Sequence, residues 1–209
     1  MEILNQIATG LQEGDDTKVG ELTRQAVAEK MPARQILDQG LIAGMNVIGR
    51  LFRDHEIFLP DVLLAARAMY AGLDVLKPLL VSENVPTAGK VVIGTIQGDL
   101  HDIGKNLVGI MLRGAGFEVI DLKIDVSPDK FVEAAKGGAT LVCLSALLTT
   151  TMPQMKNVVE AMKASKLNCQ VLIGGAPVTQ SYADEIGAAG YAPDAASAVD
   201  VAKKLLKVS

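Results

Sequence analysis

The sequence predicts an α/β protein in which a four-helix bundle precedes a doubly wound sheet of five parallel strands. Before about residue 85, apolar residues recur at intervals of three and four positions, and no run reads as a strand. Beyond it, short apolar runs alternate with helical periods. The stretch 82–89 between the two halves is polar and contains proline and glycine. We therefore expect a helical domain over 1–84, a linker or hinge over 85–89 and an α/β domain over 90–209.

The helical half contains start signals for four helices. Apolar residues recur every four positions over 3–11, which indicates the first helix. Asp16 or Thr17 can cap the second helix, because a short polar side chain accepts hydrogen bonds from first-turn amides. Pro32 and Pro60 suit the first turns of the third and fourth helices, where the missing N–H has no intrahelical partner to lose. Short connections between these helices predict an antiparallel bundle.

The second half alternates strictly between strand-like and helical segments. Such alternation predicts a parallel sheet with helices on both faces, in a flavodoxin-like (Rossmann-like) arrangement. Ligands of these sheets bind beyond the carboxyl ends of the strands. The expected strands are Val91–Ile96, Phe117–Leu122, Leu141–Leu144, Val171–Ile173 and Gly190–Ala192, and the expected helices lie at roughly 104–115, 128–136, 153–165, 179–188 and 195–207.

Composition argues against several functional classes. Lys and Arg number 20 against 24 Asp and Glu, a net charge of −4, and the aromatic residues are four Phe and three Tyr. A nucleic-acid partner is therefore not expected, because it requires a basic face or stacking aromatics. No apolar window is long enough to span a membrane, and residues 1–6 lack the basic start of a secretion signal, so we expect a cytoplasmic protein. Cys143 and Cys169 form no C-x-x-C pair and are expected to be buried free thiols.

The segment Gly98–Asn106 carries the strongest chemical signal. It follows the first predicted strand and opens the next helix, so it lies at the ligand-binding edge of the sheet. One of the two histidines of the chain, His101, stands two positions after Asp99. A carboxylate that accepts from one ring nitrogen fixes the tautomer and makes the other nitrogen a better ligand. Such a histidine can provide one axial bond to a metal whose other ligands belong to a macrocycle.

Two further motifs complete a pattern at successive strand ends. The three parts are Asp99-x-His101-x-x-Gly104, Ser145-x-Leu147 and Gly174-Gly175. Together they resemble the signature of the cobalamin-binding domain that takes up its cofactor with the benzimidazole tail displaced from cobalt. The resemblance implies that His101 replaces the tail as the lower cobalt ligand and that Asp99 hydrogen-bonds this histidine. Thr151 stands where methionine synthase has a serine that extends the relay.

The resemblance also implies the remaining contacts of the cofactor. The detached tail is expected in a slot lined by Ser145, Leu147, Gly174 and Gly175, because a narrow slot needs small residues where the backbone approaches the ligand. Asp102 is expected to begin the following helix and to shape the rim of the site. The predicted cofactor-binding set is completed by Leu100, Ile103, Gly104, Thr149, Tyr191 and Ala192.

The helical half extends the resemblance. Its matching segments look like the four-helix cap of methionine synthase and of free-standing corrinoid proteins, and they imply that Phe58 and Met69 contact the cofactor. The second half is especially similar to corrinoid proteins of methylamine, methanol and aryl-methyl-ether systems. The segments that carry these similarities are Val47–Phe52, Phe58–Pro60 and Ala68–Met69, then Gly174–Val178 and Glu185–Ala188.

Each of these residues also has a plainer interpretation. His101 can cap the helix that follows it, although its combination with Asp99, Gly104 and the downstream motifs favours metal ligation. Ser145 can be a core serine and the glycine pair a simple turn. Phe58 and Met69 can be ordinary core residues of two packed helices.

The resemblance implies a corrinoid methyl carrier with cobalamin as its cofactor. Such a carrier accepts a methyl group on cob(I)alamin from a substrate-specific methyltransferase, and an aryl methyl ether is the favoured donor. It then passes the group from methylcob(III)alamin to a second methyltransferase that uses tetrahydrofolate or a thiol. A reductive activating protein is a further expected partner.

Two other functional classes share the cobalamin domain. A cobalamin-dependent regulator would need a DNA-binding module, yet the cap accounts for the first 80 or so residues and the net charge is negative. The cobalamin subunit of a mutase normally lacks this kind of cap. A flavodoxin-like domain that binds a flavin would need aromatic or phosphate-cradling loops that the sequence does not offer.

Overall fold

The chain folds into two units, and the boundary between them in the sequence lies between Pro86 and Thr87. The computed structural model describes residues 2–83 and 85–208. The division falls within the predicted linker 85–89, whose role as a hinge stays a prediction. Within the described residues, no helix combines the length and the apolar character that crossing a membrane requires.

Four helical rods build the N-terminal unit, as predicted. A π-helical stretch, Leu37–Ile42, joins α3 to α4 without a break, so these segments form the third rod. The helices are α1 (Glu2–Gln12), α2 (Asp16–Ala28), α3 (Ala33–Ile36), α4 (Ala43–Arg53) and α5 (Leu59–Ser82). The fully buried side chains of this unit include Ile7, Leu11, Ile36, Leu41, Ile48 and Leu76.

The predicted cap of α2 is wrong by one residue. Asp15, rather than Asp16 or Thr17, accepts a hydrogen bond from the Lys18 amide at 2.9 Å. Its backbone is non-helical (φ −86°, ψ 89°), which is the conformation that lets a capping side chain reach back to the first turn. Asp16 is instead the acidic residue of that turn, where it interacts favourably with the helix dipole.

The C-terminal unit is a five-stranded, all-parallel sheet in the order β2-β1-β3-β4-β5, which confirms the predicted fold class. At the carboxyl end of the sheet, Thr95 pairs with Ser145 and Ser145 with Gly174, so three loops begin side by side. Both cysteines are free, and Cys143 is buried as predicted, but Cys169 is only half-buried; its partial burial raises its pKa to about 11. The elements are β1 (Lys90–Thr95), α6 (Ile103–Gly114), β2 (Glu118–Asp121), α7 (Pro128–Ala135), β3 (Leu141–Ser145), α8 (Pro153–Ala164), β4 (Gln170–Gly174), α9 (Gln180–Ile186), β5 (Gly190–Ala192) and α10 (Ala195–Leu206).

The close contact between α5 and the π-helical stretch yields a stability prediction. A methyl group on Gly72 would lie 2.6 Å from Cδ2 of Leu41, which is fully buried and has little room to move. Overpacking of a core costs about 1–3 kcal/mol, which outweighs the gain of up to about 1 kcal/mol from replacing a helical glycine by alanine. We therefore expect Gly72→Ala to lower the free energy of unfolding, measured by urea denaturation.

Gly20→Ala is the matched control within the same unit. A methyl group on Gly20 in α2 would meet its nearest atom, Nη1 of Arg24, at an ordinary 3.6 Å. This variant should be stabilised by about 0.5–1 kcal/mol through helix propensity. Equal stabilisation by both substitutions would show that α5 does not pack on Leu41 as closely as the structure has it.

Candidate functional site

The loop between β1 and α6 presents His101 at the carboxyl edge of the sheet. Gly98 turns the chain with φ +82°, a left-handed conformation that glycine adopts at little cost. The fully buried Thr95, at the end of β1, donates its hydroxyl to the carbonyl oxygen of His101 at 2.8 Å. The backbone of the histidine is therefore bonded directly to the end of the strand.

Asp99 is fully buried and accepts hydrogen bonds from five donors. Its Oδ1 accepts from Nδ1 of His101 at 2.8 Å and from the His101 amide at 3.1 Å. Its Oδ2 accepts from the amides of Leu147 and Leu148 at 2.8 and 3.3 Å and from the hydroxyl of Thr151 at 2.8 Å. Burial acts to raise the pKa of Asp99, but these hydrogen bonds outweigh it and hold the pKa well below its usual range.

The ionised Asp99 determines the tautomer of His101. A carboxylate has no proton to give, so Nδ1 carries the hydrogen, and in the neutral imidazole Nε2 therefore keeps its lone pair. Half of the histidine side chain is exposed, whereas its carboxylate partner has no exposed surface. The arrangement is that of a metal-ligating histidine, in which one nitrogen is oriented by a carboxylate and the other is available.

Four large apolar side chains on the two segments that carry the Asp99–His101 pair and its hydrogen-bond donors are exposed. Leu100 precedes His101 in the loop, Ile103 is the first residue of α6, and Leu147 and Leu148 belong to the loop that hydrogen-bonds Asp99. Gly104 stands at the start of α6 with open space around it, because an added Cβ would meet no atom within 4 Å. An extended apolar ligand fits such a rim, since it would remove these side chains from water.

The ends of β3, β4 and β5 carry the other predicted site residues. Ser145 is half-buried and pairs with Gly174, and Gly174 pairs with the buried Ala192. Gly175 has φ +131°, and a Cβ there would collide with the carbonyl oxygen of Ala146. The close approach of the β3 and β4 ends therefore accounts for this glycine without a ligand. Tyr191 is half-buried and Thr149 exposed, and the slot that these residues were predicted to line stays a prediction.

The remaining predicted residues occupy different environments. Asp102 stands at the N-cap position of α6, but its carboxylate accepts from the Asn106 side chain at 3.0 Å and does not cap the helix amides. Phe58 precedes α5 and is 67% exposed, whereas Met69 is 1% exposed. Met69 thus offers no open surface, and cofactor contacts of both residues stay predictions.

A buried ion pair beside the site escaped the sequence interpretation. Nζ of Lys105 donates to Oδ1 of Asp121 at 2.7 Å and to Oδ1 of Asn106 at 2.6 Å, and the lysine side chain is only 1% exposed. Burial acts to raise the pKa of Asp121, but the bonds from Lys105 and Lys123 prevail and lower it. These groups border a cavity of about 210 Å³, which is lined by Ile93, Lys105, Asn106, Gly109, Ile110, Arg113 and Asp121.

Comparison with known proteins identifies the family. Residues 89–200 match a family model described as a B12 binding domain, and residues 3–77 match a second model of the same description. A corrinoid protein of Desulfitobacterium hafniense is 41% identical over 99% of this chain and 98% of its own length. The chain is a member of the corrinoid protein family.

Two further relatives extend the comparison. Dimethylamine corrinoid protein 1 of Methanosarcina acetivorans is 44% identical over 98% of each chain. The crystal structure of a methanol:cobalamin methyltransferase complex from Methanosarcina barkeri superimposes with a TM-score of 0.87 at 31% identity, covering 100% of this chain and 81% of that one. Membership of the family makes cobalamin the cofactor of this corrinoid protein.

The site has the donors and the surface that cobalamin requires. His101 offers one imidazole nitrogen, which suits a metal whose equatorial ligands belong to a macrocycle. The exposed apolar rim suits the face of a corrin ring, and the open position at Gly104 leaves space beside it.

The Lys105–Asp121 pair yields a second stability prediction. Lys105→Met keeps most of the apolar stem but leaves Asp121 with one cationic partner fewer, so we expect the free energy of unfolding at pH 7 to fall by about 1–3 kcal/mol. Because the pKa of Asp121 is lower in the folded than in the unfolded chain, this stabilisation is complete above about pH 4 and is lost as the pH falls through the folded-state value. Urea denaturation between pH 7 and pH 3 measures both effects.

Lys136→Met provides the control. Its ion pair with Glu133 has the same 2.7 Å separation, but the lysine side chain is 58% exposed. Exposed pairs contribute about 0–1 kcal/mol, so this variant should unfold nearly as the wild type does. If the two lysine variants lost equal stability, burial of Lys105 would not be the cause.

Proposed function

We propose that this corrinoid protein is a cytoplasmic methyl carrier in a cobalamin-dependent methyltransferase system. The observation that carries the proposal is the half-exposed His101, whose Nδ1 is hydrogen-bonded to a buried carboxylate and whose Nε2 is available. The names of the relatives, which are corrinoid proteins of methylamine systems, support the same function. Bound cobalamin would supply the nucleophilic centre that accepts and releases the methyl group.

Three features of the chain would serve that cofactor. Nε2 of His101 would bind cobalt on its lower face, and Asp99 would keep Nδ1 protonated so that Nε2 stays a ligand. Thr151 donates to Asp99 at 2.8 Å and would hold the carboxylate in place when the histidine leaves the metal. The apolar side chains of Leu100 and Ile103 would exclude water from the edge of the corrin.

A carrier of this kind requires one partner that delivers the methyl group, one that receives it and one that reduces the oxidised cofactor. We propose a substrate-specific methyltransferase, a second methyltransferase with tetrahydrofolate or a thiol as acceptor, and a reductive activating protein. We keep an aryl methyl ether as the preferred methyl donor, one of the three donor classes that the resemblance of the second half implies. The names of the relatives add dimethylamine and trimethylamine as competing donors.

Histidine ligation can be tested on the loaded protein in its paramagnetic Co(II) state. We expect hyperfine coupling to a single imidazole nitrogen, which changes when histidine is labelled with ¹⁵N. His101→Ala should abolish this coupling, because it removes the proposed ligand. His55→Asn is the control: His55 is the other histidine of the chain, and its φ of +59° is tolerated by asparagine. Coupling from the benzimidazole nitrogen alone in the wild type would contradict the proposal.

The donor is tested separately from ligation. The reduced holoprotein is mixed with each candidate methyltransferase and a panel of aryl methyl ethers, methylamines and methanol, and methylation is followed by the absorption change of the corrinoid. We expect one donor class to methylate the protein and His101→Ala to slow the reaction. Failure of every donor and enzyme pair with a protein that shows histidine ligation would argue against the carrier function.

A further inference from the structure

Asp125, in the loop between β2 and α7, makes two hydrogen bonds to the histidine loop, which we define as residues 96–102 between β1 and α6. Its carboxylate Oδ1 accepts from the amide of Gly98 at 2.7 Å. Its own amide donates to the carbonyl oxygen of Asp99 at 3.2 Å. The two bonds hold the peptide groups on either side of the 98–99 peptide, and the amide of Asp99 in that peptide donates to the carbonyl oxygen of Ile96 at 3.2 Å.

The backbone around Asp125 follows the histidine loop over several residues. The Thr95 amide donates to the carbonyl oxygen of Lys123 at 2.9 Å, and the Val126 amide donates to the carbonyl oxygen of Thr95 at 3.0 Å. A parallel bridge also joins Ile96 to Val126. These bonds hold the segment 123–126 beside the end of β1, which brings the Asp125 side chain within reach of Gly98.

Asp125 adopts a conformation that serves this contact. Its φ of +53° lies in the left-handed region, which aspartate, asparagine and glycine tolerate better than other residues. In that conformation the amide and the side chain of one residue both contact the histidine loop.

The geometry connects Asp125 to the orientation of His101. The Gly98 turn directly precedes the Asp99 carboxylate that faces Nδ1 of His101, and glycine has no side chain to restrict this turn. The Asp125 carboxylate restricts it instead, by holding the Gly98 amide. Without the Asp125 carboxylate, the Gly98 amide loses its acceptor, and the turn would gain freedom chiefly in the state where His101 is off the metal. The additional entropy of that state would favour release of the ligand.

We propose that Asp125 is a positioning residue for the axial histidine and raises the fraction of bound cobalamin that carries His101 on cobalt. The inference rests on the proposed ligation by His101. A hydrogen bond to a charged acceptor at an exposed position has a modest effect, and we expect its loss to lower the ratio of ligated to unligated histidine by about fivefold.

The test compares three substitutions at one position. Asp125→Gly keeps the left-handed backbone and removes the acceptor. Asp125→Ala also removes the acceptor, but without the added backbone freedom of glycine. Asp125→Asn keeps both the tolerated backbone and an oxygen acceptor, so it should restore most of the wild-type ratio. The ratio is measured from the histidine hyperfine signal of the Co(II) holoprotein and from its absorption spectrum.

Lys166→Gly controls for the introduction of glycine. Lys166 is exposed, has φ +55° and lies in the loop between α8 and β4, so its replacement should leave the ratio unchanged. An unchanged ratio in Asp125→Gly and Asp125→Ala, in a wild type that shows histidine coupling, would overturn the inference alone. A wild type without histidine coupling would instead overturn the proposed ligation.

Amide exchange of the wild-type apoprotein tests the contact without any variant. The Gly98 amide is hydrogen-bonded to Asp125 and should exchange at least about tenfold more slowly than an unprotected amide. Exchange of Gly98 at the unprotected rate in the folded protein would remove the basis of the inference, even if the variants at position 125 failed to fold.

Discussion

Burial of one ionised carboxylate, that of Asp99, is the constraint on which the rest of the site depends. An anion withdrawn from water is costly unless donors replace the lost hydration. The donors here come from His101 on its own loop and from Leu147, Leu148 and Thr151 on the loop after β3. Both loops must therefore be folded before the carboxylate can be buried. The bonds that make its burial tolerable are also those that orient the imidazole.

The strand order explains why one loop can be held from both sides. In the order β2-β1-β3, the loop after β1 lies between the loops that follow its two neighbours. The β3 side supplies donors to the side chain of Asp99, and the β2 side bonds its backbone through Asp125. The chain crosses from one side of β1 to the other between β2 and β3, which is the position where ligands of doubly wound sheets bind. The histidine loop thus lies at the switch point, and the loops after β2 and β3 on either side of it hold it in place.

Local patterns predicted most of the fold and the centre of the site, but not the contacts that connect distant segments. Apolar periodicity located the helices and strands, and the two-residue spacing of Asp99 and His101 predicted their bond correctly. The Gly98–Asp125 bond joins residues 27 positions apart, and it depends on strand register, which no local pattern encodes. In the sequence, nothing distinguishes Lys105 from an ordinary surface lysine. Its ion pair forms because the strand register places Asp121 beside Ile93, within reach of Lys105.

The glycines at the site do not share one cause. Gly98 is required by its left-handed turn and Gly175 by the approach of Ala146, so the folded chain itself explains both residues. Gly104 is different, because a side chain there would meet nothing within the protein. The exposed Leu100 and Ile103 and the half-exposed imidazole of His101 likewise satisfy no need of the fold. These four residues lie within 100–104, and a bound ligand would give all of them a role. The residues that the fold itself does not require are therefore the ones that indicate a cobalamin site.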